Sequence, residues 1–289
     1  MEQRPIIAGV DDSPETHIAL AWAAAEARAR NVPVRVVCAY RYELPGGRLP
    51  AYVTVSSLDV EQPRQIAEQL VAGAVDTLTA AGVDAAGEAV DGDPVQVLLD
   101  ESAHASVLVL GSRHVKAFGS AVLGSVSAAV AARSHAPTVV IRGRAGRAEE
   151  GAGVVVGVDG TDASETLLAH GFDHATRHRV PLRAVLCWHP DLLALMSWRA
   201  EPPAPARVEA WLSEALAGWR EKYPDVTVHP EVIREHPVAA LVLASAAQHL
   251  LVVGNHGRHA LAGTLLGSVS QGVLHHATCP IAVVPTHDG

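Results

Sequence analysis

The chain repeats itself, and this internal repeat limits the folds open to it more than any other feature. Four segments of the first half return in the second half in the same order: residues 6–13 (IIAGVDDS) as 154–161 (VVVGVDGT), 32–35 (VPVR) as 180–183 (VPLR), 107–111 (VLVLG) as 250–254 (LLVVG), and 123–127 (LGSVS) as 266–270 (LGSVS). The first two pairs lie 148 residues apart and the last two 143 residues apart. Landmarks matched at constant offsets indicate one fold used twice.

Each copy alternates Val-rich runs with Ala-rich helical patterns. In the first copy we expect strands near 5–10, 34–40, 84–90, 106–110 and 137–142, and helices near 14–30, 62–81, 94–104 and 122–135. The strands are apolar throughout, which favours a parallel sheet covered by helices on both faces. Ser13 or Asp12 is expected to cap the first helix, with Pro14 in its first turn.

The sequence therefore predicts an α/β fold with two tandem, doubly wound, five-stranded parallel-sheet domains of Rossmann-like type. The expected boundaries are 1–146 and 151–289, joined by the Gly- and Arg-rich run around residues 143–153. The final strand of each copy, near 138–142 and 281–284, is an expected sheet edge that must be covered.

Composition excludes several classes of function. Acidic residues number 31 against 22 Lys and Arg, and both halves share the acidic excess, so we expect no nucleic-acid partner. No apolar stretch approaches the ~20 residues that span a bilayer, and no secretory leader is visible, so we expect no membrane partner and a cytoplasmic location. The three cysteines form no C-x-x-C pair and are interpreted as small buried hydrophobes. Common motifs are missing as well, including the P-loop, the G-x-S-x-G elbow, H-E-x-x-H and G-x-G-x-x-G.

The ends of strands one and four carry the candidate binding residues. In a doubly wound sheet, ligands bind beyond the carboxyl ends of the strands, where the strand order reverses. Asp11 and Asp159 end strand one, and Gly111 and Gly254 end strand four before a loop that feeds a helix. Glycines with positive φ and the free N–H groups of a helix start suit a phosphate, and the carboxylate suits a sugar hydroxyl, an adenine amino group or phosphate-bound Mg²⁺. The plainer alternative is that these glycines are only turns and helix starts.

At these residues the sequence resembles the universal stress protein family in its tandem form. The family's nucleotide signature is Gly-x-x-Gly, nine residues, then Gly followed by Ser or Thr. Residues 254–268 fit it completely, and residues 111–125 depart once, at His114. The resemblance extends over nearly the whole chain.

What the resemblance implies is binding of ATP with Mg²⁺ and little or no turnover. In that mode Asp11 and Asp159 meet the ribose and adenine and, through the phosphates, the metal, while Tyr40 and Trp188 flank the adenine. The remaining binding residues implied are Gly9, Val10, Leu110, Gly111, Arg113, His114, Gly124, Ser125, Val126 and Ser127 in the first copy, and Gly157, Val158, Val253, Gly254, His256, Gly257, Arg258, Gly267, Ser268, Val269 and Ser270 in the second.

The two sites are not expected to be equal. His114 places a side chain where backbone must approach phosphate, although Arg113 beside it can pair with phosphate oxygens. We therefore predict that the second site binds at least as tightly as the first.

Histidines crowd the second copy. His170, His174 and His178 recur every fourth residue on one helix, and we interpret them as a solvated helix face, with a Zn²⁺ or Ni²⁺ site as the alternative. The histidines at 256, 259, 275 and 276 are interpreted as polar residues without a function. Alternatively, they strengthen ATP binding below neutral pH.

Segments 41–63 and 189–207 follow strand two in each copy and are either lids or variable surface loops. The resemblance also implies an internal pseudo-dimer of the two domains through their edge strands, and a further homodimer is compatible with it. The leading functional hypothesis is an ATP-binding regulator of stress or dormancy without substantial catalysis. The alternatives are a slow ATPase or adenylyl-transferring enzyme, and a partner-binding protein with vestigial loops.

Overall fold

The structure is a computed structural model that describes residues 4–41, 61–112, 115–117, 120–122, 124–142, 151–187, 205–255 and 266–286. No helix within these ranges combines the length and the apolar character needed to cross a membrane.

The elements of the first half follow the predicted order. They are β1 (Ile6–Gly9), α1 (Glu15–Arg30), β2 (Val34–Tyr40), α2 (Gln62–Ala80), β3 (Ala85–Asp91), α3 (Pro94–Ser102), β4 (Val107–Gly111), β5 (Val115–Ala117), β6 (Ser120–Val122), α4 (Ser125–Arg133) and β7 (Thr138–Ile141). Every predicted strand and helix is confirmed to within three residues. The small antiparallel hairpin of β5 and β6 was not predicted.

The second half repeats the order of the main elements, with two helices where the first half has α2. Its elements are β8 (Val154–Val158), α5 (Ala163–His178), β9 (Leu182–Cys187), α6 (Pro205–Ala215), α7 (Ala217–Lys222), β10 (Val228–Ile233), α8 (Pro237–Ala244), β11 (Leu250–Gly254), α9 (Ser268–His276) and β12 (Ile281–Val284). The expected domain boundaries at 146 and 151 stay predictions, because residues 143–150 lie outside the described residues.

Ten strands form one continuous sheet in the order β10-β9-β8-β11-β12-β7-β4-β1-β2-β3. Within this sheet, all strand pairs inside each half are parallel. The predicted fold class is confirmed, and the structure adds that the two five-stranded sheets are joined.

The junction of the halves is the antiparallel pair of β7 and β12, the two predicted edges. Val139 lies opposite Ala282, and the flanking pairs are Val140 with Ile281 and Thr138 with Val283. Val139 and Ala282 occupy equivalent positions of the repeat, so the pairing maps onto itself when the halves are exchanged. Such a self-complementary contact is typical of a two-fold dimer, and the tandem domains therefore resemble a pseudo-dimer.

Successive strand residues point to opposite faces of the sheet, and each face has its own core. One apolar cluster runs across both halves beneath α1, α2, α5 and α6. The opposite face has two separate clusters, one beneath α3 and α4 and one beneath α8 and α9. Every helix layer therefore buries an apolar strand face, which explains why the strands do not alternate.

Candidate functional site

A cavity of about 310 Å³ lies at the carboxyl ends of β1 and β4. These strands are neighbours, with Gly9 beside Leu110, while β2 lies on the far side of β1 and β7 on the far side of β4. The order of strands thus reverses here, which is where doubly wound sheets bind ligands. The volume falls at the lower end of the ~300–1,000 Å³ typical of small-molecule sites.

Nine of the residues expected from the sequence line this cavity: Gly9, Val10, Asp11, Leu110, Gly111, Gly124, Ser125, Val126 and Ser127. Four lining residues were missed, namely Val37, Ala39, Pro94 and Leu98. They come from the end of β2 and the start of α3 and give the cavity an apolar side. The alternation of β2 could have identified Val37 and Ala39, because residues two apart share a face.

Tyr40 was expected to flank an adenine, and the structure places it elsewhere. Val37 and Ala39 face the cavity, so the next residue along β2 points to the other side of the sheet. There Tyr40 packs against the core cluster beneath α1 and α2. Tyr40 is therefore not among the residues that line the cavity, and the structure gives its expected place beside an adenine no support.

Asp11 organises the turn between β1 and α1. Its Oδ1 accepts hydrogen bonds from the Ser13 backbone N–H at 3.0 Å, the Ser13 hydroxyl at 2.5 Å and the Thr16 hydroxyl at 2.9 Å. These three hydrogen bonds hold the carboxylate at the rim of the cavity in one orientation.

The expectation that Ser13 or Asp12 caps α1 is wrong, since the helix begins after Pro14 without a side-chain cap.

The second copy repeats this turn with exchanged hydroxyls. Asp159 Oδ1 accepts hydrogen bonds from the Thr161 N–H at 3.1 Å, the Thr161 hydroxyl at 2.7 Å and the Ser164 hydroxyl at 3.2 Å. Ser and Thr have changed places between the copies, but the bonds to the carboxylate are the same. Both halves therefore present an aspartate fixed at the end of their first strand.

The helix that follows each candidate phosphate loop begins without a side-chain cap. Gly124 precedes α4 and Gly267 precedes α9, and within the part of the chain that the structure describes no side chain caps either helix start. Ser125 and Ser268, the first helical residues, are exposed. An uncapped helix start offers N–H donors and a partial positive charge to an anion.

A serine two positions further on ties this helix to the neighbouring strand. The Ser127 hydroxyl donates to the Gly111 carbonyl at 2.9 Å, and the Ser270 hydroxyl donates to the Gly254 carbonyl. Both serines are buried. They fix the helix start relative to the strand end, a positioning role that the sequence did not reveal.

The loop glycines that the structure describes do not use the positive φ that glycine allows. Gly124 has φ −58° and Gly267 has φ −63°, values open to any residue. Gly111 is needed for space instead, because a Cβ there would lie 3.2 Å from the backbone carbonyl carbon of Glu15 in the first turn of α1. Close packing of α1 on β4 therefore accounts for Gly111.

Six expected site residues lie outside the described residues: Arg113, His114, Trp188, His256, Gly257 and Arg258. The predicted difference between the two sites, which depends on His114 and Gly257, stays a prediction. The same is true of most of the two candidate lid segments and of the histidines at 256 and 259.

The interpretation of His170, His174 and His178 as a solvated face is wrong. His174 is only 1% exposed, and its ring stacks on Trp22 of α1 with 6.1 Å between ring centroids. Burial lowers the pKa of His174, and it lowers the pKa of His249 to about 4. Burial alone would raise the pKa of Glu26, but its contacts with His174 and His178 hold this pKa well below its usual range.

The cysteine interpretation is confirmed for Cys38 and Cys279, which are buried free thiols, while Cys187 is a half-buried free thiol. Burial raises the pKa of each thiol to about 11.

The chain is similar to a group of known proteins over nearly its full length. The model of the universal stress protein family matches residues 3–142 and again 153–285. Universal stress protein Rv2005c of Mycobacterium tuberculosis is 35% identical over 286 residues, which cover 98% of this chain and 97% of the relative. A universal stress protein of Mycolicibacterium smegmatis is 36% identical over 96% of each chain. Among solved structures, a universal stress protein from Archaeoglobus fulgidus superposes with a TM-score of 0.74 at 18% identity, covering 99% of this chain and 97% of the other.

Proposed function

Because the chain belongs to the universal stress protein family, in a tandem form, we propose that it binds ATP with Mg²⁺ at the switch point of each half. The nucleotide state then regulates a stress or dormancy response without substantial catalysis. The observation that carries the proposal is the cavity whose one side is apolar and whose other side is an uncapped helix start.

The apolar side suits a purine base. Val37 and Ala39 project from β2, and Leu98 projects from α3 towards them. Leu98 is 6% exposed and packs in the cluster beneath α3 and α4, so this wall is held rigidly. A flat base buried against such a wall gains free energy from removal of its faces from water.

The helix start suits the phosphates. Gly124 and Ser125 lie on the cavity wall, and no described side chain caps the first N–H groups of α4 there. A phosphate there receives backbone hydrogen bonds and the favourable end of the helix dipole. The proposed positions of the base and the phosphates therefore both lie on the wall of one cavity, as a nucleotide requires.

Asp11 lies between these two regions. Its Oδ1 is occupied by Ser13 and Thr16, which fixes the carboxylate for a ribose hydroxyl. Mg²⁺ would be held chiefly by phosphate oxygens and water, with Asp11 as the one carboxylate among the described lining residues. The metal would neutralise phosphate charge.

The second half offers the same parts. Cys187 occupies the position of Ala39, Leu241 that of Leu98, and Val253 that of Leu110. A Cβ on Gly157 would lie 3.1 Å from Leu241 and 3.7 Å from Val253, so the same side chains converge on the end of its first strand. Two nucleotide sites per chain follow from the repeat.

Calorimetric titration with Mg²⁺ and ATP tests this proposal. We expect two ATP per chain, with affinity falling from ATP to AMP to adenosine because the phosphates supply the helix contact. Ala39→Met fills the apolar part of the first site and Cys187→Met that of the second, so each variant should lose one site. Ala86→Met, on the exposed face of β3, is the matched control and should bind like the wild type.

Wild-type protein that binds no ATP would contradict the proposal, as would Ala39→Met protein that keeps both sites. Phosphate release is measured in the same samples. Stoichiometric release within the time of the titration would favour the slow ATPase instead.

A further inference from the structure

A cluster of three imidazoles lies where the two halves meet, away from both nucleotide sites. His174 and His178 come from α5 of the second half, one helical turn apart, and His249 immediately precedes β11. One ring nitrogen from each of the three lies within 4.8 Å of the others. The sequence pattern placed His170 with the first two, whereas the fold brings His249 to them instead.

We propose that His174, His178 and His249 form a Zn²⁺ site within the second half, supported from the first half by Glu26. Zn²⁺ prefers neutral imidazole ligands at about 2.0–2.1 Å in tetrahedral geometry. Two nitrogens of such a tetrahedron lie about 3.4 Å apart. His174 Nε2 and His249 Nδ1 are 3.5 Å apart, which is close to that separation and at the outer limit of a hydrogen bond between the two rings.

Glu26 of α1 orients two of these rings from the first half. Its Oε2 lies 2.7 Å from His178 Nε2 and 3.3 Å from His174 Nδ1. The contact with His178 is a hydrogen bond, whereas His174 Nδ1 makes only the longer contact and has no hydrogen-bond partner among the described residues. In both rings the other nitrogen, His178 Nδ1 or His174 Nε2, is directed away from Glu26. A carboxylate that holds the outer N–H of a histidine ligand is the usual second layer of a zinc site.

Charge around the cluster is compatible with a dication. Arg30 pairs with the other oxygen of Glu26 at 2.5 Å, so the carboxylate is held from both sides and cannot turn inwards to replace an imidazole. Asp173 pairs with Arg177 on the same helix as the ligands. His178 keeps 14% of its side chain exposed and His249 is half-buried, so an ion can enter and a water can complete the coordination.

Titration of the full-length chain, freed of metal by chelation and carrying no histidine tag, tests the proposal. We expect one Zn²⁺ per chain, and Co²⁺ should give the strong visible absorption of tetrahedral coordination. His178→Gln and His249→Gln should each weaken Zn²⁺ binding at least 100-fold, while Glu26→Gln should weaken it about 10–100-fold.

The control is the double variant His275→Gln and His276→Gln, which removes a second histidine pair at the end of α9. It should bind Zn²⁺ like the wild type. His249→Gln keeps the core intact because its ring is half-buried, and its circular dichroism is compared with that of the wild type. Absence of one-to-one binding, octahedral Co²⁺ spectra, or loss of binding in the double variant would overturn the proposal.

Discussion

Replacing Glu26 by Gln is expected to destabilise the junction between the two halves. Glu26 is 1% exposed, and its two oxygens serve Arg30 on its own helix and two histidines of the other half. Gln keeps the shape of the side chain but removes its charge, and its NH₂ group, itself a donor, would face either the Arg30 guanidinium or the histidine rings. The change therefore leaves a largely buried guanidinium without its carboxylate.

The magnitude follows from the burial of that ion pair. Removing one partner of a buried pair costs about 3–5 kcal/mol. We expect about 3 kcal/mol, because the Arg30 side chain retains 13% exposure and some hydration. At about 2 °C per kcal/mol for a chain of this size, the melting temperature should fall by about 6 °C.

Thermal unfolding of chelator-treated protein at neutral pH measures this change without a contribution from bound metal. The matched control is Glu68→Gln on α2, where Glu68 and Arg64 also form an ion pair one helical turn apart, at 2.8 Å. That pair is half exposed, so the control should melt like the wild type. Equal melting temperatures for Glu26→Gln and Glu68→Gln would refute the role assigned to the buried cluster.

Three further outcomes follow from the packing and the site. Gly171→Ala should lower the melting temperature, because the new Cβ would lie 2.4 Å from Val156 Cγ2. Gly73→Ala has open space around it and should raise the melting temperature slightly. Thermal unfolding that ranks the two variants the other way would contradict the packing. At pH 7.5 the thiols of the folded protein should react with an alkylating reagent more than about 100-fold slower than those of the unfolded protein, because a pKa of about 11 leaves few thiolates. Rapid labelling of Cys187, found by mass spectrometry, would contradict this. Tyr40→Leu should keep the ATP affinity within about twofold of the wild-type value in calorimetry, since the Tyr40 ring is on the far side of the sheet. Loss of one ATP site in this variant would instead place Tyr40 beside the adenine.

The order and type of the elements were predictable from the sequence because local pattern dictates them. Uniformly apolar runs and Ala-rich stretches determined the strands and helices, and the repeat offsets supplied the second half. The pairing of β7 with β12 agrees with the pseudo-dimer that the family resemblance implied, and it covers the two edge strands that the sequence indicated.

The side-chain details of the site were harder to predict. The sequence singled out Tyr40 by its aromatic ring, whereas its neighbour Ala39 has the strand parity that faces the cavity. Leu98 was missed because nothing local marks which turn of a helix faces a distant strand end. Ser127 was read as a ligand residue, whereas its hydroxyl is donated to the Gly111 carbonyl.

The histidine cluster shows the same limit across the junction of the halves. A period of four along α5 identified His174 and His178, but it favoured His170 as the third member. His249 lies 71 residues beyond His178, and Glu26 lies 152 residues before His178, so no local pattern connects these residues. Only the shared packing of α1, α5 and the start of β11 brings these residues together.

The most direct measurement of the central claim is a crystal structure of the chain with ATP and Mg²⁺. We predict the base against Ala39 and Leu98, the ribose near Asp11, and the phosphates at the first N–H groups of α4, with the equivalent arrangement in the second half. Nucleotide bound elsewhere on the protein, with the cavity between β1 and β4 left empty at saturating ATP, would contradict it.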